Sequence, residues 1–225
     1  MMILAQQPSI FPFGIRIDEP ITMLTDILVA VVCFYAFFRL LKIPSGQRIK
    51  TYLLLYFLGM GIATFVGGVI GHGFLYALSF AWKLPGWISS MLAVMLIERA
   101  AIEHAVKIAP PKAIVVFKWV NITELLTFMT LTFVTLNFKF VEIHSAYGIM
   151  FIVGSYSVFT YWKNKSKASK IFIWAVGFAV ISSIIYLQEW SIDIWFNYLD
   201  AAHTLMAVAA FIFYRGSIQM LKENP

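Results

Sequence analysis

The chain is poor in charge. Only 12% of its 225 residues are Asp, Glu, Lys or Arg, where an ordinary soluble domain carries about 25%. Hydrophobic residues make up 61%, against about 45–50% in such a domain. A soluble fold of this length could not hide that much apolar surface, so soluble enzymes, nucleic-acid binders and disordered tails are excluded. There is one cysteine, Cys33, inside an apolar run. That excludes an intrachain disulfide framework and a thiolate metal cluster. The last apolar run, from Phe196 to Tyr214, holds no lysine, which excludes a retinal Schiff base there. There is no G-x-S-x-G elbow, no H-E-x-x-H and no phosphate-cradling glycine loop. Gly59-Met60-Gly61 lies inside an apolar run and is no nucleotide loop.

What is present is a series of long apolar runs. A helix crossing the bilayer needs roughly 20 mainly apolar residues, and seven such runs can be marked. They cover 20–41, 51–75, 86–106, 113–136, 140–162, 170–188 and 196–214. Turn chemistry separates them, as in Ile43-Pro44-Ser45-Gly46, Lys83-Leu84-Pro85-Gly86 and Pro110-Pro111-Lys112. The runs are continuous rather than alternating, which excludes a β-barrel. The expected fold is all-α: a seven-transmembrane helix bundle over 20–215. A short outer segment, 1–19, precedes it and a short cytoplasmic tail, 216–225, follows. Met1 to Gly14 carry no charge and no clear cleavage site, so they read as an outer segment rather than a removed signal peptide.

Charge sets the expected orientation. One set of loops and ends holds 14 of the 17 basic residues, while the other keeps Arg16, Lys83 and Lys139. The basic side faces the cytoplasm by the positive-inside rule, which leaves the N-terminus outside and the C-terminus inside. The net charge of +6 then reads as orientation code and attraction to anionic lipid. The expected partners are membrane lipids, with no nucleic acid, and the expected place is a cell or inner membrane.

Ionisable groups at membrane depth are costly and so mark function by default. Asp18, Glu19, Asp26, Glu142, Glu189, Asp193 and Asp200 fall at outer ends of spans, with His72, His144 and His203. Seven of 11 acids and three of four histidines thus gather on the side poor in Lys and Arg. Such a patch suits a cation, a metal or proton transfer. His72 ends the second span in Gly71-His72-Gly73, where glycines let a helix or ligand come close. Asp200 and His203 are three apart and share a helix face. A His beside a carboxylate is a metal-ligand pairing, or a ligand with its outer acceptor. The plainer reading makes His72 and His203 interhelical hydrogen-bonders, and Glu142, Glu189 and Asp193 wet loop ends. On the inner side Arg99 and Glu103 are four apart and can pair along their helix. Glu124 looks the most buried acid and needs a partner or a proton.

Taken with the seven runs, Glu19-Pro20 before the first, the glycine-flanked His72 and the early His203 resemble the alkaline ceramidase and adiponectin-receptor superfamily, called CREST. That resemblance implies an integral-membrane hydrolase with zinc among three histidines. One comes from the second span and two from an H-x-x-x-H on the seventh. A Ser four before the first His and an Asp in the next span complete that site. Here His72 and His203 match, while the other histidine position holds Leu199, with Asp200 one residue off. The Ser position holds Gly68, and no acid stands near Lys83 or Leu84-Pro85-Gly86. Asp18-Glu19-Pro20 is similar to the acidic entry of the ceramidases, where calcium binds.

The expectation drawn from both lines is a metal-dependent hydrolase of a lipid amide or ester. Zinc would be held by His72, Asp200 and His203, with His144 as a further ligand, and Glu189 or Asp193 would serve as base. The alternatives are a non-enzymatic lipid- or ligand-binding scaffold, proton or cation transport, and haem-based electron transfer on two histidines.

Overall fold

The structure, a computed structural model, describes residues 7–223. Positions 1–6 of the expected outer segment and the last two residues of the expected tail lie outside that range. The described residues are almost wholly helical, with one isolated antiparallel bridge, Ile10 to Ile17. The helices are α1 (Pro20–Leu41), α2 (Arg48–Val66), α3 (Leu84–His104), α4 (Pro111–Thr135), α5 (Lys139–Ala146), α6 (Gly154–Asn164), α7 (Lys167–Leu187) and α8 (Tyr198–Glu223). Six stretches are long and apolar enough to cross a membrane: Pro20–Leu41, Arg48–Gly73, Phe80–His104, Pro111–Thr135, Lys167–Leu187 and Tyr198–Glu223. This is the helical, multi-pass architecture that the apolar runs point to.

The run expected over 140–162 is helical but divided. Its α5 and α6 are joined through a π segment, Tyr147–Val153, and it is not among the six. A second π segment, Gly67–Gly73, continues α2. The expected tail is also helical to Glu223, with Gly216, Ser217, Met220 and Leu221 buried.

The helices close into a ring. α1 packs on α2, α2 on α3, and α3 on the divided helix. That helix packs on α7, α7 on α8, and α8 returns to α1. α4 lies outside this ring against α3 and α5. On α1 the buried Val29, Cys33, Ala36 and Leu40 follow the three-and-four spacing of one helix face. They join Leu53, Phe57, Ile97, Phe172 and Phe213 in one core. Proline starts α1 and α4 at Pro20 and Pro111, where its missing N–H costs nothing. At the basic end, Ser166 caps α7 by accepting from Ser169 N at 3.0 Å. Glu223, the last residue of α8, accepts from Ser166 Oγ at 2.5 Å and Ala168 N at 3.0 Å.

The N-terminal segment is tied over the opposite end. Arg16 donates to Asp18 through Nε at 2.8 Å and Nη2 at 3.1 Å, and Ser9 Oγ donates to Asp18 at 2.5 Å. Tyr76 donates to the Arg16 carbonyl at 2.9 Å. Burial pushes the Asp18 carboxyl up, but the hydrogen bonds from Arg16 and Ser9 outweigh it and hold it below its ordinary value. A carboxyl lowered by folding stabilises the fold above its unfolded pKa, and that contribution is lost as pH falls through the lowered value. Protection of the Ile10 and Ile17 amides, measured against the intrinsic exchange rate at each pH, is therefore expected to fall selectively as pH drops below about 4. Asp18→Asn should show the lowered protection already at neutral pH.

Candidate metal site

Three elements converge at the end of the bundle beside the N-terminal segment. α1 brings Asp26, the π segment after α2 brings His72, and α8 brings His203. One ligand atom from each of the three lies within 4.8 Å of the others. His203 Nε2 is 3.7 Å from Asp26 Oδ1. Two ligands about 2.0–2.1 Å from a tetrahedral zinc stand roughly 3.3 Å apart, so this gap is close to that of a ligand pair. The rings of His72 and His203 meet edge to face with centroids 5.9 Å apart.

The glycines around His72 explain the convergence. A Cβ on Gly67 would lie 2.9 Å from Asp26 Oδ2, and one on Gly68 2.9 Å from the Met23 carbonyl. One on Gly73 would lie 2.6 Å from Met23 Sδ. The close approach that the glycines permit is the approach of α1.

Each histidine is oriented from behind. His72 Nδ1 donates to Glu19 Oε2 at 2.6 Å, which leaves Nε2 as the free ring nitrogen. The Thr25 hydroxyl donates to the Thr22 carbonyl at 3.1 Å, and its oxygen accepts from His203 Nδ1 at 3.3 Å. That leaves His203 Nε2 with its lone pair toward Asp26. Metal-binding histidines are usually held in this way, by a carboxylate or oxygen on the far nitrogen. The side chains of Asp26, His203 and His72 are 9%, 14% and 18% exposed, so the cluster is sheltered yet reachable. Large apolar and aromatic side chains near this end stay exposed, among them Phe11, Phe13, Trp82, Trp190 and Ile192, as in an interfacial belt.

The other sequence candidates stand elsewhere. Asp200 is fully buried, and its carboxylate accepts from Gln7 Nε2 at 2.6 Å and Asn197 N at 2.7 Å, with Thr25 Oγ1 3.4 Å away. Asn197 Oδ1 accepts in turn from Leu199 N at 2.8 Å and Asp200 N at 3.3 Å. This is a reciprocal capping box opening α8. Asp200→Asn is therefore expected to leave metal content unchanged and to cost about 1 kcal/mol of stability. Elemental analysis and a thermal melt would separate the two. His144 sits with Glu98 and Glu124 between α3, α4 and α5. Glu189 and Asp193 lie on the α7–α8 loop, outside both clusters. Glu189 has φ 53, and Asp193 accepts from Trp195 N at 2.8 Å. Asp26, noted in the sequence only as an outer acid, is the carboxylate that joins the two histidines. Arg99 and Glu103 do not pair with each other as their spacing suggested. Arg99 donates to Asn121 Oδ1 at 2.5 Å and to the Lys118 carbonyl at 2.6 Å, while Lys118 donates to Glu103 at 2.7 Å.

A family model described as a family of unknown function, DUF6962, matches residues 21–222. No curated protein and no solved structure matches the chain.

Proposed function

The chain belongs to DUF6962, and from that starting point we propose that it is a membrane-embedded, metal-dependent hydrolase acting on a lipid amide or ester. The observation that carries this reading is the convergence of Asp26, His72 and His203 from three separate elements. Two neutral imidazoles and one carboxylate are a usual donor set for catalytic zinc, and they leave a fourth position open. A zinc ion held there supplies Lewis acidity beside a scissile carbonyl. Every other part of the chemistry falls to the chain. Asp26 brings the one negative charge among the three donors. Glu19 and Thr25 fix the two rings from behind. Of the acids first considered as base, Glu189 and Asp193 are left to shape the loop.

The proposal includes seven spans, with the divided helix as the fifth, the N-terminus outside and the C-terminus inside. The weight of Lys and Arg on one side supports that orientation. The cluster then lies at the outer face, at the depth of the bond next to a lipid headgroup. Membership of the ceramidase and adiponectin-receptor superfamily is part of the same proposal. Asp26 would stand in for the histidine that Leu199 replaces.

The test is elemental analysis of detergent-purified protein, wild type beside His203→Ala. It is paired with release of free fatty acid from vesicles doped with a lipid amide or a lipid ester. Near-stoichiometric zinc and fatty-acid release, both lost in His203→Ala, are expected. A metal-free wild type, or an active His203→Ala, overturns the reading.

A further inference from the structure

A second cluster lies apart from the site just described, between α3, α4 and α5. Glu98 of α3, Glu124 of α4 and His144 of α5 bring one ligand atom each within 4.8 Å of the others. We propose that these three side chains form a second, separate site for one divalent transition-metal ion.

Four observations carry this. First, His144 Nε2 is 2.9 Å from the Met91 carbonyl. A carbonyl only accepts, so Nε2 holds the hydrogen and Nδ1 is turned toward the carboxylates. That is the arrangement of a ligating histidine anchored on backbone. Secondly, His144 Nδ1 is 2.8 and 2.7 Å from the two oxygens of Glu124. Without metal, one proton must lie on this edge, where two lone-pair carriers meet. Thirdly, Glu98 is fully buried. Its Oε2 accepts from Asn121 Nδ2 at 3.0 Å, while its Oε1 has no hydrogen-bond partner among the described residues. A buried carboxylate oxygen left bare is costly. Finally, the place is kept clear: a Cβ on Gly148 would lie 2.5 Å from Glu98 Oε1.

Charge and chemistry agree. Two carboxylates and one imidazole offer oxygen-rich ligation suited to Mn²⁺ or Zn²⁺. Binding replaces the Nδ1–Glu124 proton with the ion, so one proton leaves as one ion enters. Ligand distances of about 2.0–2.2 Å need the ring and carboxylate slightly further apart than their present 2.7 Å. α4, which carries Glu124, lies outside the helix ring against α3 and α5.

The experiment uses the full chain in detergent, equilibrated with Mn²⁺, desalted and measured for bound metal. Four proteins are compared: wild type, Asp26→Asn, Glu98→Gln and Glu124→Gln. Asp26→Asn is expected to retain one equivalent. Glu98→Gln and Glu124→Gln each lower the wild-type stoichiometry by one, whatever the first cluster holds. Glu124 lies on the outlying helix with its side chain 10% exposed, so its replacement keeps the test alive if Glu98→Gln fails to fold. Unchanged Mn²⁺ in folded Glu124→Gln, or none in folded Asp26→Asn, overturns the second site. Failure of the first site shows differently, as an Asp26→Asn count equal to wild type.

Discussion

On the proposed function, Asp26→Asn should abolish zinc binding at the Asp26–His72–His203 cluster while leaving the bundle folded. Asparagine keeps the size of aspartate and one oxygen, so the contacts of α1 with Gly67 and Gly68 survive. What disappears is the one negative charge among the three ligands. Removing even an outer hydrogen-bonding partner of a ligand typically costs 10–100-fold in affinity. Removing a ligand's charge is expected to cost more than about 100-fold. Zinc measured after dialysis at micromolar free metal, and fatty-acid release on the same preparation, should fall together. A zinc content equal to wild type would mean that Asp26 is not a ligand. Asp200→Asn is the matched control. Both are buried acids near the same end, yet only Asp26 faces the histidines.

The second large effect concerns stability. Gly216→Leu should weaken the packing of α7 on α8. Even a Cβ at Gly216 would lie 2.5 and 2.7 Å from ring carbons of Phe172 and 3.2 Å from Ile171. Phe172 is fully buried and meets Phe213 edge-on at 5.1 Å, so its ring has nowhere to retreat. Overpacking of this kind costs typically 1–3 kcal/mol. Without a hydrophobic drive between helices in lipid, close contact at small residues is what holds neighbours together. A melt in detergent should show the loss. Gly177→Leu on α7 should show none, because a Cβ at Gly177 meets nothing within 4 Å.

How much of this was legible beforehand follows from which signals are local. Six long apolar helices appear in the sequence because hydropathy is summed over neighbouring residues. The meeting of His72 and His203 was also within reach, since each stands at the same end of its span. The carboxylate was harder. Asp200 attracted attention by its spacing from His203, yet Asn197-x-x-Asp200 is itself a local capping signature and was the better guide to its role. Asp26 carries no local mark, because its partners come from α2 and α8. Glu124 could be recognised as an acid in need of a partner. That the partner is His144 depends on α4 packing beside α5, which no periodicity encodes. The division of the fifth run was hidden too, since π turns have no distinctive composition.

Those two π turns have a genetic consequence. A π turn closes its hydrogen bond one residue later than an α turn, so each segment holds one residue more per turn than an α-helix would. One lies at Gly67–Gly73 and carries His72; the other, at Tyr147–Val153, carries Gly148. Inserting one further codon within 67–71, with no second π turn to absorb it, would swing His72 by ~100° about the helix axis, away from Asp26 and His203. No ligand need be mutated for the cluster to be lost. In this chain the Asp26–His72–His203 cluster depends on segment length as much as on residue identity, and one extra residue here in a homologue would turn the histidine away while leaving it in the sequence.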